Sequence, residues 1–320
     1  MHLPFIAAAD LDRLMDHASL MDALEEAHRR PMPGMDRVLM ERPDGAGAPP
    51  DRFLILPAWQ PGDGLGVKLV TVFPRNPAGD GGGLPAIQAL YLLFDDATGA
   101  PSLMIDGEGL TFWKTSCDSG LAARFLAPKD AGTLLMVGAG ALAPWLVRGH
   151  LAARPSIGRV LVWNRSQGKA DALAASLADG GVAAETVTDL DGAVAEADVI
   201  SCATAAATPL VKGDLLRPNA HLDLVGGFAP EMREADDAAV RRCRVFVDSR
   251  KGAVGVSGDI VQPMRSGALT EDGIAGDLFD LAQGRVKAEG RTGPTFFKNA
   301  GGAHLDLMTA LYVRERLWSA

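Results

Sequence analysis

Residues 134–143 read LLMVGAGALA, and this stretch decides the fold. The run 132–137 is short and apolar, as a buried strand requires, and it ends on glycine. Gly138, Gly140 and Ala143 then occupy the three positions of G-x-G-x-x-A. Gly138 permits the tight turn, Gly140 lets backbone approach a pyrophosphate, and Ala143 allows close helix–strand packing. An apolar segment running to about residue 153 predicts a helix, whose free N–H groups and dipole favour phosphate at its start. Pro144 suits that first turn, where its missing N–H needs no partner. The spacing predicts a dinucleotide site that includes Gly138, Ala139, Gly140, Ala141 and Leu142.

Working outward, strand-like runs at 160–163, 199–203, 222–225 and 244–247, with a weaker one at 187, alternate with helical runs at 166–178 and 189–196. This alternation predicts a doubly wound parallel sheet with right-handed crossovers. The first third reads differently. An amphipathic helix spans 10–28, with His17 and His28 on its polar face. A polar, Pro/Gly-rich stretch follows to residue 50. Strands at 52–56, 66–73, 87–94 and 101–105 come next, and a helix begins near 110–115 and runs to 126. A loop, PAGDGGG, occupies 77–83. The last segment, 303–318, reads as one more helix, arriving after the nucleotide unit is complete. The fold class is α/β, with a Rossmann doubly wound parallel sheet (116–302) inserted into a smaller α+β domain (1–115, completed by 303–320).

The second Rossmann strand indicates which dinucleotide is held. In VLVWNRS (160–166) the strand end carries neutral Asn164, followed by Arg165 and Ser166, with Lys169 one helical turn on. An acidic residue there would bind a free ribose 2′-hydroxyl and repel a 2′-phosphate, whereas a cation beside a neutral hydrogen-bonder suits the phosphate. NADPH is therefore expected, with NADH possible. VISCAT (199–204) ends in Ala203-Thr204, and LDLVGGF (222–228) carries Val225 and Gly226. Small residues at strand carboxyl ends leave room for the nicotinamide end. The loop 298–302, which includes Asn299, is read as part of that side.

Composition excludes other classes. The 320 residues carry a net charge of −9, which argues against a nucleic-acid partner. No stretch approaches the ~20 apolar residues of a membrane span, and the start lacks a signal-peptide pattern. The expected setting is cytoplasmic. Cys117, Cys202 and Cys243 are widely spaced, give no metal-site pattern and read as buried thiols in a reducing compartment. No metal is expected.

Taken together, VGAGALA, WNRS, LTFWKTSCDSGLAARFLA (110–127), HLDLVGGFAPEMREADD (221–237) and FFKNAGGAHLDLMTA (296–310) resemble the ornithine cyclodeaminase/μ-crystallin family from about Asp10 onward. The resemblance implies a homodimeric, NAD(P)-dependent protein acting on amino acids or cyclic imino acids, and it implies the inserted Rossmann domain. Two departures bear on activity. The catalytic aspartate that follows the glycine pair in ornithine cyclodeaminases is Phe228 here, which cannot handle an ammonium. The arginine of the family's L-T-x-x-R-T motif is Lys114, which keeps the charge and loses the bidentate fork. Within the family, FAPEMRE with FKNAGGAH is similar to the bacterial Δ1-pyrroline-2-carboxylate/Δ1-piperideine-2-carboxylate reductases, which reduce a cyclic ketimine acid to proline or pipecolate.

A ketimine acid presents one carboxylate and one C=N bond. Arg52, Lys68 and Lys114 are the expected carboxylate ligands. Lys68 sits in the apolar strand GVKLVTVF and is expected to be catalytic, as proton donor or as holder of a water, because a buried ammonium has a lowered pKa. Asp306 is read either as orienting a cation or the imine nitrogen, or as a first-turn helix carboxylate. His304 is the one histidine placed near the expected site. Competing activities are an alanine-dehydrogenase-like or N-alkyl amino-acid-forming reaction on a 2-oxo acid and an amine, and a non-catalytic NADPH-dependent binding protein. Ornithine cyclisation is disfavoured.

Overall fold

A computed structural model of the chain describes residues 3–43, 49–78, 83–287 and 293–319. Most of the expected glycine-rich loop at 77–83 lies outside the described residues, as do 44–48 of the Pro/Gly-rich stretch. Contacts divide the chain into two compact units: Met1–Ala27, Pro31–Lys114 and Gly302–Ala320 form the first, His28–Arg30 and Thr115–Gly301 the second.

The first unit opens with β1 (Phe5–Ile6), α1 (Ala8–Leu14) and α2 (His17–His28). The single helix expected over 10–28 is thus two. Met15 is extended, and the Asp16 carboxylate accepts from the Ser19 amide at 2.9 Å, starting a new helix where the periodicity alone continues the old one. His28, expected on a solvated face, is buried in the second unit with its ring 4.6 Å from that of Phe279. β2 (Gly34–Met35) and β3 (Val38–Arg42) then appear in the stretch read as polar loop. β4 (Asp51–Gln60), β5 (Gly64–Val72), β6 (Ile87–Phe94) and β7 (Pro101–Asp106) lead into α3 (Gly107–Leu126), within which the division between units falls. The strand order is β1-β7-β6-β5-β4-β2, with β3 also on β4; β1–β7 is the parallel pair. The C-terminal helix, Ala303–Ser319, packs on β4 and β5.

β5 inverts the usual pattern. Its buried positions are Gly64, Gly66 and Lys68, while Leu65, Val67 and Leu69 are half-buried on the other face. The glycines admit close neighbours: a Cβ at Gly64 would stand 2.9 Å from Leu311, and one at Gly66 would collide with the Tyr91 ring.

The second unit contains β8 (Thr133–Val137), α4 (Ala143–Ala153), β9 (Arg159–Trp163), α5 (Gln167–Asp179), β10 (Ala184–Thr186), α6 (Leu190–Glu196), β11 (Val199–Cys202), β12 (His221–Leu224), α7 (Asp237–Arg242), β13 (Arg244–Val247), α8 (Arg250–Ala253), α9 (Gly258–Ser266), β14 (Ile274–Asp277), α10 (Leu278–Ala282) and β15 (Thr295–Lys298). The order β10-β9-β8-β11-β12-β15-β13-β14 is parallel throughout, and its first five strands follow the 3-2-1-4-5 order of the dinucleotide-binding fold. The expected series closes at 247. β14 and β15 extend it, and β15 slots between β12 and β13, so Lys298 ends a strand where a loop was expected. Leu135, Val137, Ile200, Leu222, Leu224, Val245 and Phe296 form the heart of its core. The chain leaves β8 toward β9 on one side, while β11 pairs on the other. Their carboxyl ends open the crevice where this fold binds ligands. No helix among the described residues is long and apolar enough to cross a membrane.

Candidate functional site

In the first unit, two lysines converge on one carboxylate. Lys68, on the buried face of β5, places Nζ 3.0 Å from Asp306 Oδ1 and donates to the Thr111 hydroxyl at 3.0 Å. Lys114, from α3, also brings Nζ to 3.0 Å from Asp306 Oδ1 and reaches the Gly302 carbonyl at 3.5 Å. Asp306 lies in the first turn of the C-terminal helix, and both readings of it meet there: a first-turn carboxylate that orients cations. Lys68 and Lys114 are each 5% exposed and Asp306 is 0%. Asp306 Oδ2 accepts no hydrogen bond among the described residues.

This burial sets the protonation. Desolvation pulls the Lys68 ammonium down to a pKa of about 8; Asp306 opposes the shift and Lys114 adds to it. Burial alone would raise Asp306, but the charges of Lys114 and Lys68 hold it below the usual carboxylate range. Tyr91, directly across from Lys68 on β6, has its hydroxyl pushed well up by burial and by Asp306. With both lysines charged, the cluster carries one net positive charge, suited to one substrate carboxylate. Lys68 can also release a proton near neutral pH.

Arg52 is not brought to this cluster. On β4 it sits four residues from Leu56, the partner of Lys68, roughly 13 Å along the strand. Its side chain is 47% exposed and pairs with Glu41 at 2.8 Å. His304 is buried beside the cluster in sequence, and its ring occupies the space that a Cβ at Gly302 would need.

In the second unit the glycine loop has the geometry its spacing predicts. Gly138 adopts φ +109°, and a Cβ there would stand 2.5 Å from the Ala203 carbonyl. At Gly140 a Cβ would point into open space, leaving the backbone accessible to a pyrophosphate. Ala141 and Leu142 lead into α4, where Ala143 is buried and Pro144 lies in the first turn. Asn164 braces the loop: its Oδ1 accepts from the Ala139 amide at 3.3 Å, and its amide donates to the Ser166 carbonyl at 2.9 Å. Arg165, Ser166 and Lys169 are exposed, and no side-chain hydrogen bond or ion pair occupies them among the described residues. Ala203 and Thr204 follow β11; Val225 and Gly226 follow β12 and donate to the Cys202 carbonyl at 2.8 and 3.4 Å. These residues fit a nicotinamide dinucleotide, and no carboxylate stands at the end of β9. Asn299 is buried, and its amide nitrogen is engaged by the Thr115 carbonyl (3.1 Å) and Ser119 (3.0 Å).

The family model for ornithine cyclodeaminase/mu-crystallin proteins matches residues 5–320. The chain belongs to this family. A Delta(1)-pyrroline-2-carboxylate reductase of Paracoccus denitrificans is 39% identical over 312 residues, covering 97% of this chain and 95% of the relative. Among solved structures, Thermococcus litoralis Delta(1)-pyrroline-2-carboxylate reductase, in complex with NADH and L-proline, is similar with TM-score 0.90 and 29% identity over 99% of this chain and 98% of that one. The iminosuccinate reductase of Paracoccus denitrificans with NAD+ has TM-score 0.88 and 26% identity, over 100% and 97%.

For a member of this family, several groups here were silent in the sequence. Tyr91 and Thr111 surround Lys68 without any motif to announce them. Asp223, inside β12, accepts from Ser119 (2.9 Å) and Ser201 (2.7 Å) and meets His150 at 3.0 Å, a fully buried knot under the sheet's crevice edge. Phe228, which follows Gly226-Gly227, is 63% exposed.

Proposed function

We propose that this family member reduces a cyclic ketimine carboxylate, Δ1-pyrroline-2-carboxylate or Δ1-piperideine-2-carboxylate, to L-proline or L-pipecolate, with NADPH preferred over NADH. The observation that carries this reading is the buried Lys68–Asp306–Lys114 cluster, whose single net positive charge matches a substrate with one carboxylate. A dicarboxylate such as iminosuccinate would leave its second charge unmet there. The cofactor, when bound, supplies the hydride. Lys114 holds the substrate carboxylate, and Asp306 fixes both ammoniums in place. Lys68 contributes to carboxylate binding and supplies the proton that makes the imine nitrogen cationic, then regains it from solvent. Arg52, paired with Glu41 away from the cluster, is left out of this carboxylate site. Gly138 to Leu142, Ala203, Thr204, Val225, Gly226 and Asn299 line or shape the dinucleotide site, and Arg165 with Ser166 and Lys169 receives the 2′-phosphate.

The exposed hydrophobics Val38, Leu39, Met40, Trp59 and Ile87, together with the outward apolar face of β5, support a homodimer formed through the first unit's sheet. The setting we infer is cytoplasmic, the reading that three widely spaced cysteines suggest.

NADPH oxidation should be followed with five- and six-membered ketimine acids, with iminosuccinate, and with pyruvate plus ammonia. Turnover with the cyclic acids at least ~100-fold above the others in kcat/KM is expected. Preference for the open-chain pair would instead establish an alanine-dehydrogenase-like activity. Ornithine should release no ammonia, because Phe228 offers no carboxylate.

A further inference from the structure

The second unit holds a closed ring of buried polar groups whose charged members, Glu234, Asp259 and Lys298, the proposed chemistry leaves unused. Glu234 Oε1 accepts from the Thr204 amide at 2.7 Å and from its hydroxyl at 2.8 Å. The Glu234 amide donates to Asp259 Oδ1, on α9, at 2.8 Å. Lys298, ending β15, stands 3.3 Å from Asp259 Oδ2 and donates to the Gly226 carbonyl. Gly226 closes the ring, since a Cβ there would stand 2.5 Å from Glu234 Oε1. All three charged side chains are buried, and Glu234 Oε2 accepts no hydrogen bond among the described residues.

The ring backs directly onto the crevice. Thr204 and Gly226 are the residues that follow β11 and β12, and the neighbouring Ala203 carbonyl crowds Gly138 of the glycine loop. Asp259 and Lys298 offset one another, so the ring carries one negative charge when Glu234 is ionised and none when it is protonated. Burial dominates Glu234 and raises it; Lys298 opposes and Asp259 reinforces, leaving a pKa of about 7. Beyond these, Cys202 interacts with Glu234, and Asp223 lies near Cys202. The Cys202 thiol on β11 is pushed well up by burial and stays neutral. Asp223 on β12 is raised by burial, but hydrogen bonds from His150 and Ser201 more than offset this and keep it ionised. Of Glu234, Cys202 and Asp223, Glu234 is the one that changes charge near neutrality.

The nicotinamide ring is cationic in the oxidised cofactor and neutral in the reduced one. We propose that Glu234 determines specificity for the cofactor's redox state: its ionised form favours the oxidised cofactor and its protonated form the reduced one. This rests on the nicotinamide reading above. The oxidised cofactor should then bind tighter as pH rises, and its binding should expel a proton that binding of the reduced cofactor does not.

Isothermal titration calorimetry in PIPES and imidazole buffers counts the protons. A charge preference on the order of tenfold would make NADP+ release about half a proton more than NADPH near pH 6.5. The 2′-phosphate is common to both and cancels in the difference. Glu234→Gln should abolish the difference. Thr204→Val, which removes one donor to Oε1, should move it to higher pH and serves where E234Q does not fold. Both redox forms binding to the native protein with equal proton counts would overturn the proposal, as would a difference that survives in E234Q. Failure of both forms to bind would instead overturn the nicotinamide reading, and the inference with it.

Discussion

At the scale of single residues, the proposed chemistry turns on a lysine whose surroundings disfavour its charge. Lys68 has a pKa of about 8 because burial outweighs the help it receives from Asp306. If its proton is the one delivered to the imine, kcat/KM should fall as pH rises through about 8, since the donor is lost by deprotonation. Lys68→Ala should lower kcat by roughly 10²-fold and erase that limb. Lys68→Arg should bind substrate and remain slow, because guanidinium keeps its proton; near-normal kcat in K68R would make the lysine an anion-binding charge only. Stability should move the opposite way. The unfolded chain holds this proton up to the ordinary value of 10.5, so the folded state gains stability between about pH 8 and 10.5. Asp306→Asn leaves two buried ammoniums without their shared partner, an expected loss of about 3–5 kcal/mol in urea unfolding. It should also lower the Lys68 pKa further and shift the activity limb to more acid pH.

Elements place these residues, and they differ in how plainly a sequence announces them. The turn between β8 and α4 is readable because its constraints are local: Gly138 needs a positive φ and Gly140 needs open space. The junction between β9 and α5 is similar, and it supports a clean test. Arg165→Ala should weaken NADPH binding about tenfold or more in a fluorescence titration while leaving NADH within about twofold; equal losses would remove the 2′-phosphate role. Other elements depend on distant partners. Lys68 and Asp306 are 238 residues apart, so their pairing has no local signature beyond a lysine in an apolar strand. β2 and β3 form in a Pro/Gly-rich stretch because β4 offers both of them a partner. β15 is four residues long and joins the sheet between strands that precede it in the chain, which periodicity does not disclose. Glu234 looks like one more surface charge in EMREADD, yet Thr204 and the Glu234 amide's bond to Asp259 draw it inside.

At the scale of the whole molecule, the two units differ in continuity. The second is one unbroken run from Thr115 to Gly301 apart from His28–Arg30, whereas the first is assembled from segments at both ends of the chain. A unit with an uninterrupted parallel sheet and its own core meets the requirements for folding alone. A fragment spanning 107–301, which keeps α3 whole, should therefore melt cooperatively and bind NADPH within about tenfold of the full chain. Saturating NADPH at about 100 Kd should stabilise it by roughly 2.7 kcal/mol. The same fragment should show no ketimine reduction, because Lys68 and Asp306 lie outside it. The first unit makes the converse case: its C-terminal helix packs on β4 and β5, so residues 1–114 alone lack the cover over Gly64, Gly66 and Lys68. Expressed without 302–320, that segment should be unfolded by circular dichroism. Joining 302–320 to residue 114 through a flexible linker should restore a folded sheet. A 107–301 fragment that is unfolded, or that folds and does not bind NADPH, would mean the nucleotide unit depends on the rest of the chain and is not an autonomous insertion.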